Sequence, residues 1–272
     1  MFKLTWVTIL TLLFSINLIA ATSSISNTAQ LSCRCMPNTP CWPTEADWAD
    51  LKKQLRGELI KPISEIESCK KNVKSAECAA ALVHLRNPYL LESSAGGSQS
   101  QGWVSNDDNW FNGWQYSNSV YAVEAASAAD IVAAVNFAIK YNLRLVIKGT
   151  GHDYLGRSNA PDSLLVWTHK MRAITFNNAF KPTGCSKSEK TVPAVTVEAG
   201  ARWLEAYNEV TNKNGRIVLG GGCATVGVAG GFTQGGGFGS LSKKYGTGAA
   251  GMLEAEVILA NGEKVIANKC QN

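Results

Sequence analysis

Thirteen of the chain's 25 glycines fall within 32 residues, Gly220 to Gly251, in the run GGGCATVGVAGGFTQGGGFGSLSKKYGTGAAG. In regular structure each glycine costs roughly 0.5 to 1 kcal/mol relative to alanine in backbone entropy. A segment that folds in spite of this needs a reason, and the physical one is close approach. Without a Cβ, successive N–H groups can converge on an anionic oxygen or lie against a flat ring. A flexible linker is the alternative. Ser and Pro are sparse, however, and Cys223, Thr225, Val226, Val228, Phe232 and Phe238 punctuate the glycines. The segment reads as a packed ligand-binding loop.

The rest of the 272 residues fit a globular protein, with 45% apolar and 17% charged side chains. A chain of this size forms one large domain or two modest ones and buries roughly 75% of its unfolded surface. Its net charge, 26 − 21 = +5, is scattered without a basic run, which gives nucleic acid binding little support. Residues 1–21 read as a secretory signal: Lys3 precedes an apolar stretch from Leu4 to Ile19, and small residues follow from Ala20. That stretch is short for a membrane anchor and is broken by Thr5, Thr8, Thr11, Ser15 and Asn17; no later segment is apolar enough to span a bilayer. The protein is therefore expected to be secreted. Export makes Cys33, Cys35, Cys41, Cys69 and Cys78 disulfide candidates. Eight cysteines allow 105 connectivities, so the pairing stays open. Zinc is the rival for Cys33, Cys35 and Cys41, although their spacing matches no common finger.

Residues 22–118 form a cysteine-bearing extension and linker. Its clearest helix starts at Thr44, capped with Asp47, and carries Trp48, Leu51 and Leu55 on one face. Glu92 to Asn118 is polar and rich in Gly, Ser and Asn, and reads as a linker that packs back onto the next domain. Its Trp103, Trp110 and Trp114 are read as anchors, with sugar stacking as the alternative. From Val120 a strand, helix, strand pattern appears twice. The first unit has a strand over Val120 to Glu124, a helix capped by Ser127 and Asp130, and a strand over Leu143 to Ile147 that ends in Gly149 to Gly151. The second has a strand over Ala194 to Glu198, a helix bearing Trp203, Leu204, Tyr207 and Val210 that ends at Asn214-Gly215, and a strand over Arg216 to Leu219 that runs into Gly220. Leu253 to Leu259 and Lys264 to Ala267 flank Asn261-Gly262 as a hairpin.

Several familiar sites are excluded. Gly246, Gly248 and Gly251 satisfy GxGxxG, yet a strand follows where a dinucleotide fold needs a helix. There is no GK[ST] triplet, no GxSxG elbow, and no metal spacing among His84, His152 and His169. His152 stands apart because it projects from a tight turn at a strand end, although a histidine in a turn is commonly just solvated.

KGTGHDYLGRS, and further on GGGCATVGVAGGFTQGGGFG with KYG, resemble the flavin domain of the vanillyl-alcohol-oxidase and p-cresol-methylhydroxylase superfamily. The likeness covers about residues 119–272 and is greatest to the secreted, berberine-bridge-enzyme-like branch. The resemblance implies an α+β fold, a PCMH-type FAD-binding domain of two α/β subdomains. It implies that Gly149, Thr150, Gly151 and Asp153 belong to the loop around the FAD pyrophosphate, that Gly156 and Ser158 also bind the cofactor, and that His152 is joined to the flavin 8α carbon. It places Cys223 where a thiolate attaches at flavin C6 in bicovalent relatives; the alternative for Cys223 is a disulfide half. Val226 matches the position beside flavin C4a where a small residue admits dioxygen. Thr225, Gly227, Gly230, Gly231, Gly235, Gly236 and Gly237 are expected along the ring and ribityl chain. Lys148 and Arg157 are candidates to balance phosphate or N1 charge, with solvated surface roles as the alternative.

Ala250, Thr247 and Gly248 depart from the family pattern, which puts the adenine-side contact in doubt. Relatives continue past Asn268 to Asn272 into a substrate domain that carries their acid-base residues, so the FAD domain is expected to be incomplete and the chain a fragment or a truncated product. The activity expected of the intact protein is hydride transfer from an alcohol or sugar-like substrate to flavin, with reoxidation by dioxygen. The alternative is a truncated, secreted flavin-binding protein without catalysis. With Cys223 on the flavin, seven cysteines remain and at least one lacks a partner within the chain.

Overall fold

The computed structural model describes residues 33–85, 87–97 and 117–272. The expected signal segment and Trp103, Trp110 and Trp114 lie outside them. The first elements are α1 (Glu45–Gln54), β1 (Glu58–Ile60), α2 (Glu67–Lys71), α3 (Ala76–His84) and α4 (Pro88–Glu92). They are followed by β2 (Tyr121–Glu124), α5 (Ala128–Lys140), β3 (Arg144–Lys148), β4 (Ser163–Trp167), β5 (Ile174–Phe180) and β6 (Val192–Val197). After these come α6 (Trp203–Tyr207), α7 (Ser242–Tyr245), β7 (Glu254–Ile258) and β8 (Lys264–Asn268).

A four-stranded sheet in the order β1-β2-β4-β3 organises the first half, with β2, β4 and β3 parallel and β1 antiparallel at the edge. The N-terminal section thus supplies a strand to this sheet. Gly57 permits the pairing, since a Cβ there would lie 1.9 Å from the Glu124 carbonyl oxygen. Both sheet faces are covered. Trp48 and Leu51 of α1 and Ala134, Phe137 and Ala138 of α5 pack on Tyr121, Val123, Leu164 and Val166. On the other side Ala95, Ala160 and Ile60 meet Ala122, Val146, Leu165 and Trp167. Each large apolar side chain so buried contributes about 1.5 to 3 kcal/mol. The Thr44–Asp47 capping box starts α1, and Asp130 does the same for α5. The Asp130 carboxylate also accepts from the N–H groups of Arg56, Gly57 and Ala126, which ties the N-terminal section to the sheet.

In the second half β5 and β6 pair antiparallel, and α6 continues as a π-helical stretch over Asn208–Lys213. That stretch ends at Asn214, before Gly215 at φ 61°. The expected strand over Arg216 to Leu219 is not formed. Among the described residues it has no partner strand, and Ile217 is 64% exposed. The chain therefore does not repeat one unit twice: a parallel strand-helix-strand unit is followed by an antiparallel pair and a helix. The expected hairpin forms from β7 and β8, with Gly262 at φ 80° in its turn. Disulfides join Cys35 to Cys41, Cys69 to Cys78 and Cys185 to Cys270.

Candidate functional site

Parallel strands β3 and β4 end together, Lys148 opposite Trp167. The crevice beyond the carboxyl ends of such strands is where open α/β sheets place ligands. Past Lys148 the chain turns through Gly149, Thr150 and Gly151, the last at φ 78°. Here the two glycine-bearing motifs meet. The Gly227 N–H donates to Thr150 Oγ1 at 2.9 Å, across 77 residues of sequence. His152 Nε2 lies 2.8 Å from Thr225 Oγ1, and Cys223 Sγ lies 3.6 Å from that same oxygen. Thr150 and Thr225 are buried, His152 is half-buried and Cys223 is exposed.

The second strip is fixed by backbone bonds to the start of α6. Trp203 N–H donates to the Val226 carbonyl, Leu204 N–H to Ala224 and Val228 N–H to Ala201. Val226 is half-buried against the cluster of Trp203, Ala206 and Val228. The glycines that follow serve two different needs. A Cβ on Gly220 would lie 2.3 Å from the Trp203 ring, on Gly239 2.1 Å from the Gly220 carbonyl oxygen, and on Gly237 2.8 Å from the Phe232 ring. Gly235 is confined in the same way by the Gly231 carbonyl oxygen at 2.9 Å. These residues are glycine because protein occupies the space. Around Gly222, Gly230, Gly231 and Gly236, by contrast, a Cβ would meet nothing within 4 Å. These open positions lie in the segment that Gly227 ties to the turn at Gly149 to Gly151, which leaves room over them for a flat ring. A cleft of about 260 Å³ between Gly220–Gly222 and Gly239–Ser242 includes Gly222 in its lining but not Gly230, Gly231, Gly236, His152 or Cys223.

Burial pushes the His152 imidazole below its usual range, outweighing a hydrogen bond that the ring donates to the Thr225 backbone, so the ring is neutral near pH 7. A neutral imidazole is the nucleophilic form. Two sequence expectations change here. Lys148 is neither solvated nor aimed at a ligand: it is 1% exposed, and its Nζ donates to the carbonyls of Ser94, Ala95 and Gly97 at 2.6, 3.3 and 2.6 Å. A buried ammonium must find acceptors, and these anchor the start of the expected linker under Gly151. Arg157 is exposed and binds Asp153, with Nε 3.0 and 3.1 Å from its two oxygens. Asp153, held below the usual carboxylate range by that arginine, is committed to it. Gly156, at φ 71°, closes the same turn by donating to the Asp153 carbonyl, and Ser158 is buried behind it.

Glu92 carries a role that sequence reasoning missed. Read as the first residue of a linker, it is 2% exposed and takes the guanidinium of Arg202, with Arg172 at 3.5 Å. Arg202 also binds Glu205, 2.8 Å away at i+3, and bridges to Gly227. The Arg202/Glu205 spacing was the available signal. This buried network supports the second strip from behind.

Residues 120–268, more than half of the chain, match the family model described as FAD binding domain. A VAO-type flavoprotein oxidase, VAO615, of Thermothelomyces thermophilus is 36% identical over 251 residues, 89% of this chain and 43% of its own length. The FAD-linked oxidoreductase patO of Aspergillus clavatus is 35% identical over 247 residues, 89% of this chain and 42% of its length. The crystal structure of VAO-type flavoprotein MtVAO615 from Myceliophthora thermophila C1 superposes with a TM-score of 0.72 at 34% identity, covering 87% of this chain and 44% of that one. The chain thus spans less than half the length of these relatives. The match over residues 120–268 and the shared fold show that it belongs to the FAD binding domain family, among VAO-type relatives.

Proposed function

We propose that the protein binds FAD at the junction of the two motif loops and belongs to a secreted, FAD-dependent oxidase. The observation that carries this is the meeting of Thr150 with Gly227 and of His152 with Thr225 beside glycines that have open space over them. N–H groups of the turn from Gly149 to Asp153 would address the pyrophosphate. Gly230, Gly231 and Gly236 would admit the ring and ribityl chain. Neutral His152 and the accessible Cys223, which is in none of the three disulfides, would hold the ring covalently. When bound, the flavin supplies a two-electron acceptor for hydride from an alcohol or sugar-like substrate and passes the electrons to dioxygen. Val226 would leave the approach of dioxygen open. Three disulfides support an oxidising compartment.

A second reading, flavin binding without turnover, is favoured by Asp153. The one carboxylate of the first motif is paired with Arg157 and is not held for proton transfer.

The test is acid precipitation of the purified chain with peptide mapping. Yellow colour is expected in the pellet, with flavin mass on the peptides of His152 and Cys223. Peroxide release on adding alcohols or sugars then separates oxidase from binder. A folded preparation that takes up no FAD overturns both readings.

A further inference from the structure

The sequence from Glu92 to Gly97 is polar and glycine-bearing, as a linker would be, yet it packs like a core. Glu92, Ala95, Gly96 and Gly97 are buried. A Cβ on Gly96 would lie 1.9 Å from the Ile63 carbonyl oxygen, and one on Gly97 2.1 Å from that of Leu91. Buried backbone carbonyls need donors, and here the donors come from both ends of the first motif loop. Lys148, just before Gly149, aims its Nζ at the carbonyls of Ser94, Ala95 and Gly97, three acceptors for the three protons of an ammonium. Asn159, just past Ser158, donates its side-chain amide to the Ala95 carbonyl at 3.0 Å. The Gly97 carbonyl oxygen lies against the turn itself, 3.3 Å from where a Cβ of Gly151 would stand.

The same segment reaches the second motif loop through Glu92. Its carboxylate takes the Arg202 guanidinium, and the Arg202 backbone pairs with Gly227 as an isolated bridge. Among the described residues no strand pairing joins the sheet that carries the first loop to the β5–β6 pair that precedes the second. A short segment outside both loops therefore grips each of them by buried polar contacts. Such contacts fix geometry, because a partner left unmatched in the interior is costly.

We propose that Glu92 to Gly97 is a clasp that sets the spacing of the two motif loops, with Lys148 and Glu92 as positioning residues for FAD, a role that rests on the FAD reading above. Lys148 leads into the first loop, and Glu92 binds behind the second. Simple local support would make each substitution loosen the one loop beside it. A clasp makes either substitution loosen both.

The test is amide hydrogen exchange, read by peptide mass, in Lys148→Met, Glu92→Gln and the unaltered full chain, each produced by a riboflavin-starved host. Either variant is expected to speed exchange at least tenfold in both 149–159 and 223–231, with α1 and the β7–β8 hairpin unchanged, and to weaken FAD uptake at least tenfold in a fluorescence titration. Faster exchange confined to the loop beside the substitution, or spread through the whole chain, overturns the proposal. So does unaltered FAD uptake in a variant whose loops have loosened. A second measurement needs no variant. In the unaltered chain at low urea, the amides of Gly97 and Gly227, which donate to the Ser94 carbonyl and to Thr150 Oγ1, are expected to open at one shared free energy, below that of the buried α5 amides. Openings at separate free energies, or only together with α5, overturn the clasp even where a variant fails to fold. Loops that open as expected in a chain that takes up no FAD sink the cofactor reading and leave the clasp standing.

Discussion

A glycine is retained either because protein fills the space where its Cβ would go or because something else must, and the two cases separate by experiment. Gly239 belongs to the first kind, with the Gly220 backbone 2.1 Å from its absent Cβ. Gly239→Ala must push two loop segments apart and is expected to cost about 1 to 3 kcal/mol, as overpacked interiors do, read as a lower midpoint in urea. Gly231 belongs to the second kind, with nothing within 4 Å. Gly231→Ala is expected to leave the unfolding midpoint of the flavin-free chain unchanged and to weaken FAD uptake at least tenfold in a fluorescence titration. Equal loss of stability in both variants would show that the open strip is ordinary packing space. At this scale the sequence was informative about where the glycines converge, because the interspersed Cys223, Thr225 and Val226 argued against a linker. It was silent about which glycine answers to which need, since that depends on neighbours such as Trp203 and Phe232.

Between elements, the longest covalent tie is Cys185–Cys270, which spans 85 residues and fastens the β7–β8 hairpin to the connection after β5. Thr183 N–H and the Asn268 amide both donate to Glu254 at this junction. Closing a loop of that length removes more unfolded-chain entropy than closing the nine-residue span of Cys69–Cys78. The chain-entropy relation gives about 4.6 kcal/mol against about 2.6 kcal/mol. The paired serine replacement at Cys185 and Cys270 is therefore expected to lower stability more than the one at Cys69 and Cys78, by about 2 kcal/mol in denaturant titration; the reverse order would refute the loop-length argument. Neither pairing was legible beforehand, because connectivity is decided by which loops the fold brings together. Helices α1 and α5, strand β2 and the β7–β8 hairpin were legible, since caps, helical spacing and Asn261-Gly262 are local signals. Strand β4 was missed for a physical reason: all five of its residues are buried, so it has none of the alternation that marks a half-exposed strand. Arg216 to Leu219 erred the other way, with strand-like residues that find no partner among the described elements.

Across the whole molecule, burial of cationic groups sets how stability follows pH. The His152 and His169 rings are both held below the ordinary 6.5, in each case mainly by burial and for His169 also by the Arg172 charge. As pH falls through about 6.5 the unfolded chain takes up protons that the folded chain refuses, so stability drops in that window. Lys148 acts in the same direction at higher pH: burial brings it down to about 7, outweighing the Glu65 and Glu92 charges that favour its proton, so stability rises as pH climbs above 7. Glu92 opposes the histidines. Burial raises its carboxyl above the ordinary 4.5, so the folded chain takes up that proton first as pH falls. Carboxylates held low, such as Asp153 and Glu205, lose their contribution only in more acid solution. As pH falls below 6.5 the histidines lower stability, each by a slope of up to about 1.4 kcal/mol per pH unit while it stays neutral in the fold, and the raised Glu92 carboxyl offsets part of that fall. His169 stacks on Trp167 with centroids 4.8 Å apart, a contact phenylalanine can keep. His169→Phe is expected to flatten the fall of the urea midpoint below pH 6.5 while leaving flavin attachment at His152 intact, because the two rings titrate at separate places. An unchanged slope in this variant would remove His169 from the account, and loss of attachment would mean that the two histidines share one environment.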